Sequence, residues 1–329
     1  MIAITYDRFG TAADVLSVSD LDTPAPGAGE VTVRMAVSGV NPSDIKSRAG
    51  TRPGVTKPAF PQVIPHSDGA GVIEAVGDGV EASRVGERVW IWNGQWQRAF
   101  GTAATHITLP SEQAVLLPAH VSFETGAVLG IPGLTAAEAV FGAGDVKGQT
   151  LLISGGGGTV GYLAVQLAKW GGARVIATSS PRDAERVRAA GAETVLDYRS
   201  DTLAADVLAA NDGAFIDRVI EVEFGANVTL CSEVIKPNGV IAAYGSQIDM
   251  TPTLPFGPLL FKAATIDIIL IYLLPLPARQ ERIGRLHRAF ADGALHCPIA
   301  QTYPLAECAA AHEAVLAGGR AGAILVDCS

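Results

Sequence analysis

Four consecutive glycines, Gly155 to Gly158, follow the apolar run Leu151-Leu152-Ile153 and lead into Thr159, Val160 and Gly161. Backbone N–H groups in such a turn can approach a pyrophosphate, and a helix starting there adds the positive end of its dipole. Gly155, Gly158 and Gly161 recur every third residue, which departs from the strict G-x-G-x-x-G order, and glycine-rich turns also serve structure alone. The flanks decide between these readings. A helix-period segment carries Leu163, Val165, Leu167 and Ala168, and a second apolar run, Val175-Ile176-Ala177, closes the stretch. Strand, turn, helix and strand within roughly 30 residues make a βαβ unit. Gly155, Gly157, Gly158, Thr159, Val160 and Gly161 are therefore the expected dinucleotide-binding residues.

The residues after the second strand bear on which dinucleotide binds. An NAD site normally places a carboxylate about 20 residues beyond the glycines, on the ribose 2′-hydroxyl. Here the chain reads Ser179, Ser180, Pro181, Arg182, and the first acid is Asp183, inside the next helix. Hydroxyls with a guanidinium suit a 2′-phosphate, so NADPH is expected. Ser180 and Pro181 are also a good helix start, and a capping hydroxyl can still face a ligand.

The rest of the chain must position this turn. With 329 residues, two domains and an ample core are expected. Hydrophobic residues at 48% and charged ones at 17% exclude a disordered chain. The net charge of −9 has no basic cluster to offset it, which argues against nucleic acid and anionic membranes. Cys231, Cys297, Cys308 and Cys328 are scattered and read as reduced thiols, pointing to a cytoplasmic protein. The N-terminal MIAITYDRFG lacks the apolar core of a signal peptide, and the most apolar run, Ile268 to Leu276, is too short to span a bilayer.

Residues 1–121 read as mostly β, with turn residues at short intervals as in a small barrel. A short helix is expected over Asn41 to Gly50, ended by its glycine. From Ser122 the pattern alternates between helix and strand, predicting a doubly wound parallel sheet over 122–272 whose last strand is Thr265 to Tyr272. Residues 273–329 are expected to rejoin the first domain, through helices from Ala278 and Leu305 and a strand at Ala323. Ligands of such a sheet bind at the carboxyl ends of its strands.

Several segments, in order, carry a resemblance over nearly the whole chain. They are GVNPSDIKSRAG (39–50), IPHSDGAGVIEAVGDGV (64–80), VGERVW (85–90), GIPGLTAAEAV (130–140), SGGGGTVGYLAVQLAK (154–169), AAGAETVLDYR (189–199) and LAECAAAHEAVLAGGRAGAILV (305–326). The sequence resembles the zinc-free quinone oxidoreductase (zeta-crystallin-like) branch of the medium-chain dehydrogenase/reductase superfamily. The resemblance implies an α/β fold, a Rossmann domain beside a GroES-like β-barrel catalytic domain. It also implies NADPH as hydride donor, a quinone or α,β-unsaturated carbonyl acceptor, and a homodimer or tetramer joined through the nucleotide domain.

Zinc-dependent members carry ligands where this chain has Asn41, Ser67 and Ile131, so no metal is expected; His66 falls one residue out of register. The resemblance places Asn41 on the nicotinamide side as a catalytic residue. Lys46 stands where relatives often have tyrosine and is either a cation near the reduced oxygen or a solvated helix residue. Trp90, Trp92 and Trp96 are either core or a replacement aromatic wall. Tyr198 is expected near the adenosine phosphate, Thr135 near the nicotinamide, and Gly245 where backbone approaches cofactor. Ala323 replaces a lysine of the last strand, so that contact is lost. Some relatives of this fold bind NADPH with little turnover and act as structural or interaction proteins, which is the alternative function.

Overall fold

The computed structural model describes residues 1–51 and 54–329. Its strands are β1 (Ile2–Thr5), β2 (Ser17–Asp20), β3 (Glu30–Val40), β4 (Asp68–Val76), β5 (Arg88–Ile91), β6 (His106–Pro110) and β7 (Ala114–Leu116). Then come β8 (Thr150–Ile153), β9 (Arg174–Ser179), β10 (Thr194–Asp197), β11 (Ile216–Glu221), β12 (Ile235–Ala243) and β13 (Thr265–Ile268), and finally β14 (Ile299–Pro304) and β15 (Ala323–Asp327). Two compact units share them: Met1–Ile131 with Cys297–Ser329, and Pro132–His296.

In the first unit a seven-stranded sheet runs β14-β15-β3-β4-β5-β7, with β6 also paired to β3. Val31, Val33 and Met35 alternate along β3 into a core shared with Ile73, Val89, Ile107 and Leu109. That alternation is what a strand with one buried face requires. The tail belongs to this unit: β15 lies antiparallel to β3, and Ala311 and Val315 of the helix Cys308–Ala317 enter the same core. The expected short helix spans Pro42–Ala49, with Pro42 in its first turn. Gly50 ends it at φ +69°, in the left-handed region open to glycine.

In the second unit six parallel strands run β10-β9-β8-β11-β12-β13. Renumbered from β8, this is the doubly wound order 3-2-1-4-5-6, whose direction reverses between β8 and β11. Leu151, Leu152 and Ile153 are fully buried, so β8 reads as a continuous apolar run because both its faces are covered. The last strand is shorter than expected: β13 stops at Ile268, and Ile271–Leu273 turn as a 3₁₀ segment before Pro275. The chain also leaves this unit later than 273. The helix Leu276–Ala291 packs on the helix Leu134–Phe141, where Arg282 Nε donates to Glu138 Oε2 at 2.7 Å. Among the described residues, no helix is long and apolar enough to cross a membrane.

Candidate cofactor and acceptor sites

Gly155 takes φ +66°, turning the chain out of β8, and the helix Thr159–Trp170 follows with Gly158 as its N-cap. The turn is held from below: Gly156 N–H donates to Thr178 carbonyl at 2.8 Å and Gly155 N–H to Thr178 Oγ1 at 3.2 Å. The first helical bond runs from Tyr162 N–H to Gly158 carbonyl, so the N–H groups of Thr159, Val160 and Gly161 lie ahead of the ladder. A Cβ on Gly161 would sit 2.2 Å from Gly155 carbonyl oxygen, and one on Gly157 would crowd the Asp183 carboxyl at 3.1 Å. Glycine is thus required for the turn and helix to approach each other, which is the geometry of a phosphate cradle.

Where the adenosine end was expected, the contacts differ in detail from expectation. Arg182 is exposed and donates to Asp183 Oδ2 at 3.2 Å, while Ser180 Oγ donates to the same oxygen at 2.7 Å. Ser179 is buried, and its hydroxyl donates to Ser180 carbonyl. Both serine donors are therefore engaged within the turn. A second guanidinium, which sequence reasoning missed, completes the group. Arg186 donates to Gly157 carbonyl and to Asp183 Oδ1, and stacks 4.9 Å from the Tyr162 ring centroid. Burial would raise the Asp183 carboxyl, but bonds from Ser180, Arg182 and Arg186 outweigh it and hold it below the usual range. Asp183 stands at the glycine turn but is saturated by neighbours, and the two arginines leave the group one positive charge in excess. Tyr198 follows β10 with its N–H 3.4 Å from Ser179 carbonyl. Its half-exposed ring carries Arg199 at 4.7 Å, another cation not anticipated.

Glu221 ends β11 beside β8, where the strand order reverses. Ser154 Oγ donates to it at 2.6 Å, Glu223 N–H at 2.7 Å and Asn227 Nδ2 at 2.9 Å. Burial nonetheless pushes its carboxyl above the usual range. Gly245 meets the same strand end: a Cβ there would lie 2.3 Å from Val222 carbonyl oxygen, so close backbone packing already requires glycine. Thr135 is buried in the helix Leu134–Phe141.

In the first unit, Asn41 caps the helix Pro42–Ala49 and is buried. Its N–H donates to Asp44 Oδ2 at 2.8 Å, and its side-chain Nδ2 donates to Asp68 Oδ2 at 2.7 Å. Asp68 is fully buried at the start of β4; burial, reinforced by Asp44, holds its carboxyl well above the usual range. Asp68 stood in the segment PHSDGAG without being singled out. Lys46 is exposed. Trp90 is a fully buried core residue, and Trp92 is buried with its Nε1 donating to Glu112 carbonyl at 3.2 Å, whereas Trp96 is half-buried. Trp90 therefore belongs to the core and forms no aromatic wall.

His66 is 1% exposed, and its Nε2 lies 2.8 Å from His312 Nε2. Burial and the neighbouring His312 hold it well below the ordinary histidine range. Cys308 Sγ lies 3.8 Å from the same His66 nitrogen, so the cysteines are not all scattered thiols. The signal that could have found this group is Cys308-Ala-Ala-Ala-His312, two ligand types one helical turn apart.

Residues 27–119 match the alcohol dehydrogenase GroES-like domain, and residues 159–284 match the family described as zinc-binding dehydrogenase. The chain is 28% identical to the quinone oxidoreductase of Rattus norvegicus over 333 residues, covering 99% of this chain and 97% of that protein. A stretch of 226 residues is 31% identical to the synaptic vesicle membrane protein VAT-1 homolog of Homo sapiens, covering 68% of this chain and 55% of that one. Among solved structures, a mycobacterial protein complexed with NADPH matches with a TM-score of 0.87 at 27% identity, over 99% of this chain and 100% of that one. A quinone oxidoreductase of Pseudomonas syringae pv. tomato matches with a TM-score of 0.86 at 29% identity, over 99% of each chain. Two domain families in this order, with relatives and structures aligned end to end, agree with the strand order and the glycine turn. The chain belongs to the medium-chain dehydrogenase/reductase superfamily, in its quinone oxidoreductase branch.

Proposed function

We propose that this oxidoreductase uses NADPH to reduce a quinone or an α,β-unsaturated carbonyl compound by hydride transfer, without a catalytic metal. The observation that carries the reading is the cradle of Gly155 to Gly161 with the net positive Arg182–Asp183–Arg186 group beside it. The cradle suits a pyrophosphate, since the N–H groups of Thr159, Val160 and Gly161 lie ahead of the first helical bond, from Tyr162 N–H to Gly158 carbonyl. The residues that hold the cofactor are Gly155, Gly157, Gly158, Thr159, Val160 and Gly161 at the pyrophosphate, with Ser179, Ser180, Arg182 and Tyr198 at the adenosine end. Thr135 and Gly245 complete the set. Bound there, the nicotinamide supplies the hydride, while the protein supplies position and charge. The relatives named quinone oxidoreductase and the neighbour complexed with NADPH support this reading.

Asn41 and Lys46 are the proposed catalytic residues. Asp68 fixes the Asn41 amide, so this donor is held in place before an acceptor arrives, as stabilisation of a developing oxyanion requires. Lys46 offers a cation from an exposed position. Zinc independence rests on Asn41, Ser67 and Ile131: an amide engaged by a carboxylate, a buried hydroxyl and an alkyl chain do not make a zinc ligand set. The homodimer is supported by the edge strand β13, whose Ile268 is 78% exposed, and by Phe261, 90% exposed at the end of the helix before it. An apolar open edge of this kind pairs readily with a second copy. A cytoplasmic location is proposed with it.

Similarity to the VAT-1 homolog favours a second reading, an NADPH-binding structural or interaction protein with little turnover. Loss of NADPH absorbance that depends on added quinone or enone supports the enzyme. Tight NADPH binding with no turnover across both acceptor classes favours the second reading. For cofactor choice, Arg182→Ala is expected to weaken NADPH roughly ten- to a hundredfold, the scale of about 1.5–3 kcal/mol for one charge-assisted bond, and to leave NADH nearly unchanged. Equal losses for the two would remove the 2′-phosphate reading.

A further inference from the structure

Three side chains remote in sequence meet in the core of the first unit, and the proposed reduction uses none of them. Cys308 and His312 lie on one face of the helix Cys308–Ala317, and His66 approaches from the segment before β4. Their ligand atoms lie within 4.8 Å of one another, and each residue is at most 1% exposed. His66 takes φ +75°, a left-handed conformation that residues with a β-carbon rarely adopt. His312 Nδ1 is buried with no hydrogen-bonding partner among the described residues.

We propose that His66, Cys308 and His312 form a buried three-coordinate site for a soft monovalent cation, Cu(I). A thiolate with two imidazoles is a donor set for a soft or borderline metal. Charge decides between candidates. Cu(I), one thiolate and two neutral imidazoles sum to zero, which a dry core accepts without a counter-ion. A zinc ion on the same donors would leave one net positive charge in a dry core, where Asp44 and Arg48 both already act on Cys308. Zinc would also demand a fourth ligand.

The geometry lies near that of a loaded site. Ligand bonds of about 2.0–2.3 Å set donor atoms roughly 3.3–3.8 Å apart, so the 3.8 Å sulfur–nitrogen distance already fits and the 2.8 Å nitrogen pair must open by about half an ångström. His66 Nδ1 lies 2.9 Å from Ser38 Oγ, which is 2.8 Å from Thr102 Oγ1, and such an outer bond fixes a ligating ring. On binding, the Cys308 S–H bond breaks, its proton leaves to solvent and a sulfur–copper bond forms. Both imidazoles then coordinate through Nε2 with their protons on Nδ1. No electron is transferred. With no exposed face the site leaves no position for an acceptor, so the ion ties the helix Cys308–Ala317 to the segment before β4.

The test uses the full chain, reduced and anaerobic, refolded with Cu(I) and then competed against a chromophoric Cu(I) chelator, with Zn²⁺ in parallel. One Cu(I) per chain is expected, with an X-ray absorption spectrum of two nitrogen neighbours and one sulfur. Cys308→Ser and His312→Gln should each weaken binding by about a hundredfold or more, since losing even an outer-shell partner costs roughly ten- to a hundredfold. Circular dichroism checks that the variants fold; should they not, the spectrum of the unaltered chain decides. No retained copper, an all-sulfur shell from other thiols, or Zn²⁺ displacing Cu(I) would each overturn the proposal.

Discussion

The glycine turn of the second unit and the buried polar group of the first place functional atoms by opposite means. The turn is continuous in sequence: Gly155 to Gly161 occupy seven successive positions, and the atoms proposed to face the cofactor are backbone N–H groups fixed by strand, turn and helix. In the first unit every atom that matters belongs to a side chain, and the partners are far apart: Asn41 with Asp68, and His66 with His312, 246 residues away. A backbone site is specified by where side chains are missing. A side-chain site is specified by topology, because only the sheet pairing brings its members together.

Substitutions should separate the two kinds of site, beginning with the largest effect. Gly161→Ala places a Cβ against Gly155 carbonyl oxygen, an atom the backbone cannot move cheaply. Overpacking of this kind costs about 1–3 kcal/mol, so NADPH affinity should fall roughly ten- to a hundredfold in a titration of bound-cofactor fluorescence. Wild-type affinity would show that the turn does not hold the pyrophosphate. Asn41→Ala acts differently: it strips the buried Asp68 carboxyl of a donor, which costs about 1–3 kcal/mol of stability. Its thermal midpoint and turnover should both fall while NADPH affinity barely changes. A loss confined to NADPH affinity would move Asn41 out of the proposed catalytic role.

The smallest effect concerns pH. Glu221 has its folded value raised above the ordinary 4.5, so above 4.5 the folded chain keeps a proton that the unfolded chain releases. Its contribution to stability is therefore greatest below that pH and declines as pH rises through the raised value. Glu221→Gln should flatten this decline in denaturant titrations at several pH values. An unchanged slope would mean that Glu221 is ionised throughout.

The sequence carried the fold well because its signals were local. The apolar run of β8, the glycines after it and the helix period that follows all lie within one stretch, and the doubly wound order came from repeating that pattern. Gly50 at a helix end was legible for the same reason. What escaped notice depended on contacts between distant segments. Asp183 was read as lying inside the next helix, yet 3₁₀ geometry at Pro181–Asp183 turns it back onto Gly157. Arg186 was overlooked because its link to Gly157 carbonyl crosses from that helix to the turn. Trp90 could not be told from a pocket-wall tryptophan until β5 was seen paired to β4 and β7. The exit from the second unit was misplaced because the helix Leu276–Ala291 is fixed by Arg282 meeting Glu138, a pair 144 residues apart.

The central claim, that this chain passes a hydride from NADPH to an acceptor, is tested most directly with NADPH deuterated at the nicotinamide C4 and an α,β-unsaturated carbonyl compound. Mass spectrometry of the product should find one deuterium on carbon, from one of the two C4 faces only. Product formed without deuterium would reject direct hydride transfer, and cofactor bound without any product would assign the fold to NADPH binding alone.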